Sequence, residues 1–97
     1  MKYYQQGDVV LIKVNQVSGK AQDTKVVQEG EHTGHAHRLN SYGKVFKDGD
    51  KLFVKAAKGT SIGHEEHSTI VIEEGDYEVR IVRQKDPFTK LVSKVLD

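Results

Sequence analysis

Cysteine is absent from this 97-residue chain, proline occurs once, and neither sign of charge dominates. Each absence narrows the field. Without thiols there are no disulfides, thiolate zinc fingers, iron–sulfur clusters or cysteine nucleophiles. The formal net charge is +1, with 15 Lys and Arg against 14 Asp and Glu. That balance lacks the cationic excess of a dedicated nucleic-acid binder or a polybasic membrane protein. No run of about 18 apolar residues is present to span a bilayer. Residues 1–8 hold no apolar signal-peptide core, so a cytoplasmic location is expected. Only 36% of residues are apolar and 30% are charged. A single domain over 1–97 with a small core is expected.

What is present leans towards β structure. There are 13 Val and 5 Ile against 5 Leu, and β-branched side chains pack well on a pleated surface but lose rotamer freedom in a helix. The nine glycines fall between short apolar runs rather than inside them, which reads as turns. Strands are expected over 8–14, 24–28, 42–47, 51–56, 68–72 and 77–82, with 15–23 as a loop and 29–40 irregular to extended. Residues 3–6 read as an exposed edge or interface. Asp48-Gly49-Asp50 and Glu73-Glu74-Gly75-Asp76 each read as a hairpin turn. In the last strand Tyr77, Val79 and Ile81 share one face.

The period changes at the C-terminus. Phe88, Leu91, Val92, Val95 and Leu96 mark one face of a helix, with Asp86 as N-cap and Pro87 at its first position. The reading is therefore mostly β: a small antiparallel barrel or sandwich-like roll over about 1–84, closed by a short amphipathic α-helix over about 86–96. That helix is a candidate contact for a homo-oligomer.

The chemistry concentrates in two blocks, and all five histidines lie between positions 32 and 67. The first block runs Glu29-Gly30-Glu31-His32-Thr33-Gly34-His35-Ala36-His37-Arg38. The second is His64-Glu65-Glu66-His67. In an extended segment His35 and His37 project from one face, with Ala36 turned away. His64 and His67 converge if a tight turn carries them. Neutral imidazoles from both blocks suit a divalent transition metal, zinc first, with iron, nickel or manganese as alternatives. Glu31, Glu65 and Glu66 are the candidate general bases or auxiliary ligands. His32 matches neither spacing and has no assigned role. His-Glu-Glu-His is one residue short of the zincin motif, and no phosphate loop or nucleophile elbow is present.

The segments Gln5-Gln6-Gly7-Asp8-Val9, Glu29 to Arg38 and His64 to His67, with Gly75-Asp76-Tyr77 and residues 83–88, resemble those of a group of small bacterial and phage proteins without an assigned activity. The resemblance implies that the two histidine blocks belong together. At the site level, His35 and His37 with a later His64 or His67 are similar to a minimal cupin, in which a His-x-His pair, a glutamate and a later histidine hold a metal. Ser41 and Tyr42 stand where that glutamate would follow, so Glu31 or Glu65 would have to replace it.

The functional expectation is a histidine-rich β protein that binds a divalent metal, with metal-dependent hydrolysis or a cupin-like reaction as its chemistry. The alternative is a non-enzymatic phage or bacterial interaction module acting through the histidine loop and the terminal helix.

Overall fold

The computed structural model describes residues 2–29 and 34–82. The described chain forms ten strands: β1 (Tyr3–Gln6), β2 (Val9–Val14), β3 (Lys20–Ala21), β4 (Val26–Glu29), β5 (Ala36–Leu39), β6 (Gly43–Asp48), β7 (Lys51–Ala56), β8 (Ser61–His64), β9 (His67–Val71) and β10 (Gly75–Ile81). They make two antiparallel sheets. One has the order β1-β2-β10-β7-β6-β3 and the other β4-β5-β8-β9.

The core is built from both sheets. Val9 and Leu11 of β2, Val45 of β6, Val54 of β7 and Tyr77 and Val79 of β10 meet Val27 of β4, Leu39 of β5, Ile62 of β8 and Ile72. β2 is the most apolar strand, and its first four residues are all buried. It lies between β1 and β10, where a continuous apolar run fits better than strict alternation.

Two turns of the same composition shape the first sheet. β1 and β2 are joined by Gly7-Asp8, and β6 and β7 by Gly49-Asp50. In each, the glycine takes positive φ, +59° at Gly7 and +62° at Gly49, and no other kind of residue in the described chain does so. Glycine at the first position of a two-residue loop matches the twist of the paired strands. The recurring Gly-Asp pairs at 7 and 49 are thus hairpin turns.

Several expectations are corrected. The sheets do not close into a barrel: hydrogen bonding ends at β1 and β3 in one and at β4 and β9 in the other. Residues 68–72 and 77–82 do not form a hairpin. β9 pairs with β8, and β10 with β2 and β7. The chain changes sheets across Glu73 and Glu74, so turn-forming residues there mark a crossing rather than a hairpin. Ile81 departs from the buried face of Tyr77 and Val79 and is 40% exposed. The helix expected over about 86–96, and the oligomer contact assigned to it, lie outside the described residues. No helix among the described residues is long and apolar enough to cross a membrane.

Candidate functional site

The site begins at the β1–β2 turn. Gln6 ends β1 and is only 4% exposed. Its Nε2 donates to the backbone carbonyls of Ile62 (3.0 Å) and Ser68 (2.9 Å). Between these positions the β8–β9 pairing slips, from Ile62 opposite Ile70 to His64 opposite His67. One strand therefore holds an extra residue there, a bulge that interrupts the backbone ladder. The Gln6 amide joins the two sheets at that irregularity. Both amide hydrogens are committed to carbonyls, so Oε1 is the atom that meets His37 Nδ1, at 2.8 Å. Flipping the amide would set an oxygen against two carbonyl oxygens. Oε1 accepts only, so Nδ1 of His37 is the donor.

His37 lies on β5 and is 2% exposed. Its second nitrogen, Nε2, is 3.3 Å from Asp8 Oδ1. Burial, and next the neighbouring His64, push its pKa below the usual imidazole value, against the pull of Asp8. The ring centroid of His37 lies 4.3 Å from that of His64 and 5.9 Å from that of His67, and the His37 and His67 planes are only 17° apart. His64 and His67 are 4.7 Å apart, and His35 is 5.9 Å from His64. The His64–His67 approach follows from local structure, because β8 and β9 form a hairpin with Glu65 and Glu66 at its tip.

The two acids at that tip are placed differently. Glu65 accepts from the Ala36 backbone N–H (2.9 Å) and from Arg38 (2.6 Å). The Ala36 N–H first, and then Arg38, bring its carboxyl down to about 2. Glu65 thereby ties the β8–β9 turn to the start of β5. Glu66 Oε2 lies 3.3 Å from His35 Nδ1, and the Glu66 N–H donates to His64 Nδ1 at 3.0 Å. Glu31 and His32 lie outside the described residues.

His35, His37, His64 and His67 are thus brought together, yet among the described residues no three His, Asp or Glu form a ready metal cage as placed. Two members of the site carried no histidine-like signal in the sequence. Gln6 and Asp8 sit in a strand and a turn that are distant in sequence from both histidine blocks. The signal that includes them is the Gln5-Gln6-Gly7-Asp8-Val9 segment, which the resemblance groups with the two histidine blocks.

Gly7 controls how closely His67 approaches. A Cβ on Gly7 would fall 2.6 Å from His67 Nε2. The left-handed backbone there also disfavours any side chain, by about 1–2 kcal/mol. Gly7→Ala is accordingly expected to lower unfolding stability by about 1–2 kcal/mol and to shift the His67 ring resonances. An unchanged denaturation midpoint with unmoved His67 signals would show that the turn tolerates both.

A family model for a domain of unknown function matches residues 5–84, a span that holds every described site residue. No curated protein and no solved structure matches the chain.

Proposed function

The chain belongs to the DUF8820 family, and from that premise and the geometry above we propose that it is a divalent-metal-binding β protein. The metal is drawn to the space among His35, His37, His64 and His67. The single observation that carries this reading is the state of His37. It is a buried imidazole whose Nδ1–H is fixed by a carbonyl-type acceptor, which leaves Nε2 beside the Asp8 carboxylate, with the His64 and His67 rings close by. Metal-binding histidines are typically held this way, with the distal N–H donated to an oxygen that sets ring orientation and raises basicity. Nitrogen and oxygen donors without thiolates suit zinc first, then iron, nickel or manganese.

The chemistry available to such a site is activation of bound water. A metal held there would supply Lewis acidity to a bound water, and a nearby carboxylate would be the group placed to take its proton. Of the described acids, Glu66 fits that role better, because Glu65 is committed to Ala36 and Arg38.

Elemental analysis of untagged protein tests the reading, with the double variant His35→Ala/His37→Ala alongside. Near-stoichiometric metal in the parent and none in the variant is the expected result. A parent that is metal-free, and stays so after incubation with Zn²⁺, Fe²⁺, Ni²⁺ and Mn²⁺, ends the proposal.

A further inference from the structure

We propose that the chain's own C-terminal segment, residues 83–97, packs on the outward face of the first sheet, over Val10 and Ile12, whether or not the protein binds a metal. It would add a third layer to the two sheets.

The register separates the two faces of the first sheet, because directly opposed residues of an antiparallel pair point to the same side. Val9, Leu11, Val54, Tyr77 and Val79 face the second sheet and belong to the shared core. Val10 and Ile12 alternate with them along β2 and point the other way. With them go Tyr3 and Gln5 of β1 and Glu78 and Arg80 of β10. When the outward face of an antiparallel sheet meets water, its strands alternate apolar with polar. β2 does not alternate, and its outward residues are not wet: Val10 is 0% exposed and Ile12 6%. Phe53 of β7, opposed to Glu78, is also buried on this face.

The described chain accounts for one side of that burial. The connection from β2 to β3 follows the outward face towards β6, the Phe53 side. Its Val17 N–H donates to Asp76 Oδ2 at 2.9 Å, and Ser18 donates to Asp48. Val10 and Ile12 lie on the other side, between β1 and β10. Of the residues opposed to Val10, Gln5 is drawn to the Gly7 carbonyl (2.8 Å) and Arg80 to Glu78 (2.9 Å). Neighbours within a sheet cover the flanks of a side chain, and closing its outer end takes a further layer.

Residues 83–97 are placed to supply it. β10 ends at Ile81, opposite Val9, and the Val82 N–H is fixed to the Asp8 carbonyl at 2.8 Å. The rest of the chain therefore starts beside the strand that carries Val10. Its sequence pattern gives a helix over about 86–96 with Phe88, Leu91, Val92, Val95 and Leu96 on one face. Such a helix is about 16 Å long, against about 20 Å for the six residues of β2. Residues 83–85 give a connection within the usual 2–6 residues between strand and helix. A chain that reverses there runs back along β2 from Val10 towards Ile12. A second copy would have to compete with an apolar segment tethered to the same sheet at an effective concentration in the millimolar range.

The lack of cysteine makes the test direct. Lys90→Cys, on the helix side away from the apolar face, takes a single spin label in the full chain. The label should broaden the Val10 and Ile12 methyl NMR signals more than those of Val27 and Leu39 in the second sheet. In a mixture of spin-labelled copies with isotope-labelled, spin-free ones, it should broaden neither. Leu91→Asp should shift the Val10 and Ile12 methyl signals and speed amide exchange along β2. Equal broadening in both sheets, or none at Val10 and Ile12, overturns the proposal. Broadening in the mixture gives the face to a second copy and overturns it too, as do Val10 and Ile12 signals unmoved by Leu91→Asp. Should that variant unfold, the spin label decides, since it leaves the apolar face unaltered.

Discussion

Gln6→Leu is expected to destabilise the protein by about 3 kcal/mol, because three buried or part-buried polar groups lose their partner at once and each unsatisfied group costs about 1–3 kcal/mol. Those groups are the Ile62 and Ser68 carbonyls and the His37 Nδ1–H. Leucine fills the volume and recovers some apolar burial, which keeps the loss near the lower end of the sum. A domain of this size has only about 5–15 kcal/mol in total. Chemical denaturation should show a lower midpoint with an unchanged slope. Ring ¹⁵N shifts of His37 should show a proton fixed on Nδ1 in the parent and a loss of that preference in the variant. A parent with the proton on Nε2 would refute the assignment of the Gln6 amide. Gln6→Glu is not expected to rescue, since it sets a carboxylate oxygen against the Ile62 and Ser68 carbonyls.

Tyr77→Ala should cost about 3–5 kcal/mol, the usual range for emptying an aromatic site in a core. Tyr77 is fully buried on β10, between Lys13 of β2 and Val54 of β7. Its ring meets Tyr4 edge-on at 5.9 Å, and its hydroxyl donates to the Glu73 carbonyl at 2.6 Å. Burial above all raises its pKa to about 12, so the hydroxyl stays protonated and remains a donor through the neutral range. Tyr77→Phe isolates that bond and should cost about 1 kcal/mol. Thermal unfolding of the pair separates ring from hydroxyl. Equal losses in the two variants would mean that the ring contributes little, contrary to its position.

Much of the first sheet was legible in the sequence, for reasons that individual residues explain. The run Val9 to Val14 is too apolar and too β-branched to be anything but a buried strand. Gly49-Asp50 and Gly7-Asp8 use the one residue that accepts positive φ cheaply. The second sheet was harder to read. β5 is four residues, Ala36-His37-Arg38-Leu39, with burial on both faces and no simple alternation. β8 contains Gly63 and ends in His64, so it carries little intrinsic preference for a strand. Both are held by their neighbours rather than by their own composition.

The approach of His64 to His67 was legible from their spacing, since a tight turn brings such a pair together. Gln6 was not. A glutamine advertises nothing until its amide is seen to reach a bulge 56 and 62 residues away along the chain. Asp8 was read only as strand entry, because a turn aspartate looks the same whether it faces water or an imidazole.

The pairing of β2 with β10 has a consequence for the order of events during synthesis. β2 leaves the ribosome early, but its partner runs from Gly75 to Ile81. The Asp8 carbonyl also waits for the Val82 N–H, which it accepts at 2.8 Å. A nascent chain that already displays all its histidines still lacks the strand that fixes the β1–β2 turn beside them. Contacts this distant form slowly, because the loop between them must close before they stabilise anything. The early hairpin β6–β7 can form on its own; the site cannot. Assembly of Gln6, Asp8 and His37 therefore follows the synthesis of β10, and any ion in that position meets a turn already fixed by it instead of nucleating it.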